Sequence, residues 1–141
     1  MMRGTISLVA ILMAATISWA CGGQKAATAA AGQVIELTDA MLDRGGVDTL
    51  RFGRLHEGEI ALRSIVVRNG TEQPAVIVTH ERSCGCVDAE YERRPIMPGE
   101  ESKVEFSFDS RGEYGWQMKL ITLRLGGRGV PLKIYIEAEV E

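Results

Sequence analysis

The chain has 141 residues, a formal net charge of -3, 45% hydrophobic and 25% charged residues, two histidines and three cysteines. That length suits a single domain. The mild acidity argues against nucleic acid as a partner, because such partners call for a basic face.

Met1 to Arg3 form a short basic start, and an apolar run from Ile6 to Ile17 ends in Ser18, Trp19, Ala20 and Cys21. This pattern predicts an export signal over residues 1–20. The run is shorter than the roughly 20 residues a membrane span needs. Removing the signal takes only Arg3 from the charges, so the mature chain is slightly more acidic. Ala20 followed by Cys21 resembles the bacterial lipobox, although Ser18 and Trp19 stand where a leucine-like and a small residue are usual. The resemblance implies a diacylglycerol on the Cys21 sulfur and attachment to a membrane through it, since several acyl chains hold a protein where one does not. Ordinary cleavage, leaving an unmodified Cys21, is the alternative. Residues 21–33, rich in Gly and Ala, predict a flexible tether. No Asp follows the cysteine, and by the same resemblance the domain is expected at the outer membrane, facing the periplasm.

From Val34 onward apolar residues recur with a period of two, which predicts strands over residues 34–141. "TDAMLDRGG" at Thr38 to Gly46 suits one short helical turn capped by Thr38 or Asp39. Strands are expected over Leu50–Phe52, Ile60–Arg68, Ala75–Arg82, Cys86–Glu90, Val104–Phe108, Trp116–Leu125 and Leu132–Val140. "HEGE", "RNGTEQP", "MPGEE" and "SRGEYG" supply the Gly and Pro for the reversals between them. About seven short strands in this length predict an all-β fold, an immunoglobulin-like antiparallel β-sandwich. Cys84 and Cys86 are too close in sequence to pin two sheets together, so the core must rest on apolar packing.

"FGRLHEGE", "VRNGTEQPAVI", "SCGC", "PIMPGEE" and "VEFSFDSRGEYG" occur in the order seen in the bacterial domain of unknown function family 1573, which the chain resembles over about Leu50 to Glu141. The resemblance implies an exported or lipid-anchored immunoglobulin-like protein without an agreed activity.

In "THERSCGCVDAEY", Cys84 and Cys86 flank one glycine. Two residues apart on an extended strand, their sulfurs face the same way with Cα atoms roughly 6.6 Å apart. A disulfide between them needs a kink, for which Gly85 is the candidate, and the small ring would suit a redox pair more than a structural bridge. Alternatively, two thiolates on one face suit copper(I) or zinc, with His80 as a further ligand if the chain turns between them. As a third reading, both cysteines pack as small apolar groups and Gly85 makes a bulge or a close backbone contact. "SCGCV" is also similar to the S-H-G-C signature of L,D-transpeptidases. Here, however, Cys84 replaces the histidine, Asp88 stands where an Arg is needed, and His80 on an extended strand lies too far from Cys86 to act as its base. No catalytic residues are therefore expected, and no resident cofactor.

The leading expectation is a non-enzymatic binding or scaffolding module of the cell envelope, meeting a protein partner by strand addition at a sandwich edge. The rival is a periplasmic thiol protein using Cys84 and Cys86 for disulfide redox chemistry or copper binding.

Overall fold

The computed structural model describes residues 32–127 and 130–141. The expected signal, Cys21 and most of the tether lie outside the described residues. The order of elements is β1 (Gln33–Leu37), α1 (Asp39–Arg44), β2 (Gly46–Leu55), β3 (Ile60–Asn69), β4 (Ile77–Arg82), β5 (Val87–Tyr91), β6 (Glu101–Asp109), β7 (Gly115–Leu125) and β8 (Leu132–Val140).

These strands form two four-stranded sheets, ordered β1-β3-β6-β5 and β2-β8-β7-β4. The expected sandwich is thus present, with the strand distribution of immunoglobulin-like domains. Two of its pairings are parallel, β1 with β3 and β2 with β8, where an antiparallel fold was expected. β1 and β2 are successive edge strands, one on each sheet, joined through α1. β1 had not been anticipated, and Gln33, assigned to the tether, is already paired with Ile65. Thr38 caps α1 as expected, its hydroxyl accepting from the Met41 N–H, and Leu42 buries the helix against the core.

Strand boundaries follow the side-chain alternation. Val104, Phe106 and Phe108 of β6 are fully buried, while Glu101 and Lys103 face water. Leu132, Ile134, Ile136, Ala138 and Val140 of β8 pack against them from the other sheet as one continuous core. β2 is longer than the expected Leu50–Phe52 because its register shifts between Arg51 and Gly53. Gly53 takes a φ of 79°, a conformation open to glycine at little cost, and the shift turns Leu55 inward although its parity opposes that of Leu50 and Phe52. β4 begins at Ile77 instead of Ala75, which makes only an isolated bridge to Ile96.

The outer face of β7 departs from the wet-out, dry-in rule. Trp116 and Met118 are exposed there, at 58% and 48%. β7 also outruns its neighbour: β4 pairs with it only down to Ile121, so among the described residues Gly115–Lys119 have β8 on one side and no strand on the other.

Candidate functional site

β4 is an edge of one sheet and β5 an edge of the other, and Ser83–Cys86 carry the chain between them. Each end of this crossing is fastened. The Ser83 N–H donates to the Leu120 carbonyl and the Leu120 N–H to the Ser83 hydroxyl, both at 2.9 Å. On the other side the Asp109 N–H donates to the Cys86 carbonyl at 2.8 Å.

Between these anchors Cys84 and Cys86 form a disulfide with Cα atoms 5.2 Å apart. The turn has therefore closed the extended spacing of roughly 6.6 Å by more than 1 Å, from the far edge of the range a disulfide accepts to well inside it. Both cysteines are half-buried and rest on the edge of the core, while Gly85 is exposed. The Cys86 N–H donates to Cys84 Sγ at 3.3 Å.

Gly85 sits in the turn where a kink was expected, without the close backbone contact of the third reading. Its φ is not among the positive values, and a Cβ built there meets nothing within 4 Å. The chain therefore turns here without a left-handed conformation at Gly85. A side chain at this position would face open space.

A polar network closes the base of the crossing. His80 Nε2 lies 2.7 Å from Asp88 Oδ1, Arg82 donates to Asp88 Oδ2 at 2.8 Å, and His80 Nδ1 lies 3.2 Å from the Tyr91 hydroxyl. A neutral imidazole protonated on Nε2 satisfies both contacts, donating to the carboxylate and accepting from the phenol. The His80 and Tyr91 rings also meet edge to face at 5.7 Å. Partial burial acts to raise the Asp88 pKa. The Ala89 N–H, the His80 ring and the Arg82 charge outweigh it and hold the carboxyl below its ordinary value. Burial pushes the Tyr91 phenol up, against Arg93.

The metal set of Cys84, Cys86 and His80 is not assembled. The sulfurs are bonded to each other, both His80 nitrogens are taken by Asp88 and Tyr91, and the described residues contain no group of three or more His, Cys, Asp or Glu side chains placed to hold a metal ion. Likewise Cys86 has no imidazole partner and its sulfur is already bonded, so the transpeptidase-like arrangement is not formed. The sequence had placed Cys84 and Cys86 on one strand face, with His80 joining them if the chain turned. The sheet-to-sheet crossing instead folds Asp88 back onto His80 and leaves the cysteines at the rim.

The Asp88 links have an acid signature. A carboxyl whose folded pKa is depressed contributes stability above its unfolded value, about 4, and loses it as pH falls through the folded value. Asp88→Asn is expected to be less stable than the natural chain at pH 7 and equal to it near pH 2, as read by urea unfolding at several pH values. A difference unchanged by acid would show that the carboxylate charge is not what matters.

Two sheets in the immunoglobulin arrangement, with a half-buried Cys84–Cys86 disulfide on the crossing between their edges, define a small β-sandwich module. The chain belongs to the family described as protein of unknown function, DUF1573, whose sequence profile matches residues 46–140. No curated protein matches it in sequence. Among solved structures it is similar to a protein of unknown function from Porphyromonas gingivalis W83, with a TM-score of 0.57 and 20% identity over 64% of this chain and 43% of that one. It is also similar to the Vibrio cholerae VesB protease, with a TM-score of 0.54 and 14% identity over 69% of this chain and 30% of the other. The chain thus spans less than half of either structure, and at these identities the likeness is one of fold.

Proposed function

We propose that the protein is a lipid-anchored envelope module, held at the outer membrane through Cys21 and facing the periplasm, which exchanges its Cys84–Cys86 disulfide with thiols of other exported polypeptides. The observation that carries this reading is the placement of the disulfide. A bridge enclosing so few residues removes little chain entropy from the unfolded state, about 1.6 kcal/mol for a three-residue loop against about 4.7 for one of 100 residues. The fold around it already has a continuous apolar core. A disulfide that contributes so little as a staple, and that lies half-buried at the rim beside an exposed Gly85, is placed to react.

The direct test mixes the oxidised full chain with one equivalent of a reduced dithiol peptide. Near-stoichiometric peptide disulfide is expected within minutes to hours, with none from the double variant Cys84→Ser, Cys86→Ser. A Cys84–Cys86 bond still intact after prolonged contact would refute the exchange reading.

Binding without chemistry is the second reading, favoured by β7. Trp116 and Met118 lie exposed on the stretch of β7 that lacks a partner on one side, where an extended peptide has both backbone groups and apolar surface to meet.

A further inference from the structure

The two sulfurs of the ring are not equivalent. Of the two, only Cys84 Sγ accepts a hydrogen bond among the described residues, from the Cys86 N–H at 3.3 Å. An N–H aimed at a sulfur stabilises it most when that sulfur carries charge, because a hydrogen bond to an ionised acceptor is stronger than one to a neutral acceptor. In disulfide exchange the sulfur that departs is the one better able to bear the negative charge. Cys86 is held differently: its carbonyl accepts from the Asp109 N–H, and the next residue, Val87, opens β5 and is buried.

We infer that exchange at this site is directional: an incoming polypeptide thiolate attacks Cys86 Sγ, and Cys84 departs as a thiolate held by the Cys86 N–H. This rests on the exchange reading above and assigns the order of its steps. In the first step the partner's sulfur forms a bond to Cys86 Sγ while the Cys84–Cys86 bond breaks, and the electron pair of that bond stays on Cys84. In the second, another thiolate of the same partner attacks the partner sulfur of the mixed disulfide and Cys86 departs. The partner's two thiols end as one disulfide, and their two protons reside on Cys84 and Cys86, which are now a dithiol. No other oxidant enters this single turnover. The substrate class is an exported polypeptide with two cysteines free to approach each other.

The experiment uses glutathione, a probe with a single thiol that stops the sequence at the mixed disulfide. The oxidised full chain is treated with reduced glutathione, quenched in acid, alkylated with a maleimide that remains reactive at mildly acidic pH, and digested for mass-spectrometric mapping. Glutathione on Cys86 and alkyl on Cys84 are expected, in about tenfold excess over the reverse isomer, the bias one charge-assisted hydrogen bond supplies. The urea-unfolded chain, run in parallel, is expected to lose that bias. Excess glutathione on Cys84, or equal isomers from the folded chain, overturns the direction while leaving exchange standing. No adduct on the folded chain, with adduct on the unfolded one, overturns exchange itself and the direction with it.

Discussion

Phe108→Ala is expected to cost the domain about 3–5 kcal/mol, much of the 5–15 kcal/mol by which a domain is ordinarily stable. Phe108 is fully buried on β6, an interior strand of its sheet. Its ring meets Phe52 of the opposite sheet edge to face, with centroids 6.2 Å apart, so truncation removes a contact between the layers as well as buried area. The neighbourhood cannot readily close over the gap, because Phe108 is flanked by Ala61 on β3 and Val87 on β5, residues too small to fill it. The damage reaches the rim: Val87 follows Cys86, and the Asp109 N–H that holds the Cys86 carbonyl follows Phe108. Phe108→Leu, which keeps most of the volume, is expected to lose much less. Urea unfolding of both variants checks this, and a loss below about 1 kcal/mol in Phe108→Ala would show that the two sheets do not depend on this contact.

Asn69→Leu is expected to be comparably severe, at about 3–5 kcal/mol, although the substitution is apolar and similar in size. Asn69 is fully buried at the end of β3. Its amide donates to the carbonyls of Gln73 and Ile96 at 2.7 and 2.8 Å, and its carbonyl oxygen accepts from the Thr71 N–H and hydroxyl at 3.0 and 2.8 Å. One side chain thus ties the turn after β3 to the segment before β6. A leucine removes all four bonds. The Thr71 N–H loses its partner, at about 1–3 kcal/mol. The Ile96 and Gln73 carbonyls and the Thr71 hydroxyl each keep one other bond, from the Ala75 N–H or between themselves, and lose about 0.5–1.5 kcal/mol apiece. Thermal unfolding of Asn69→Leu beside Thr71→Val separates the hub from its neighbour, the second being the milder. Equal stability of Asn69→Leu and the natural chain would mean that solvent already reaches this corner.

The strands most legible in the sequence were those with one wet and one dry face. β6 and β8 show uninterrupted alternation, and their inward residues are the buried ones in the structure. β2 was legible only in part because the bulge at Gly53 reverses the parity on which the period-of-two reading depends. β1 was missed because five residues next to a Gly- and Ala-rich segment carry little pattern, and its parallel pairing with β3 depends on a contact distant in sequence. The turn "RNGTEQP" was legible as a turn, whereas the role of Asn69 as its buried hub was not, since burial is decided by Ile96, far along the chain.

At the site, the sequence carried the cysteine pair and its short spacing. Its reading of a kink at Gly85 agrees with the turn found there, although Gly85 takes no left-handed conformation. His80 was legible as a polar residue near the cysteines. That it would serve Asp88 and Tyr91 instead depends on the chain changing sheets at Ser83–Cys86, and only the assembled sandwich specifies that. The exposure of Trp116 and Met118 was not legible, since Trp116–Leu125 was read as a strand without an assignment of its faces.

The central claim is that the Cys84–Cys86 disulfide is open to reaction in the folded domain and carries little of its stability. Treating the folded full chain with a small dithiol reductant, counting free thiols over time and then measuring urea unfolding tests both halves together. The account predicts that both thiols appear while the domain stays folded, and that the reduced form is less stable by no more than about 2 kcal/mol. Thiols that appear only once urea unfolds the chain, or a reduced domain that no longer folds, would contradict it.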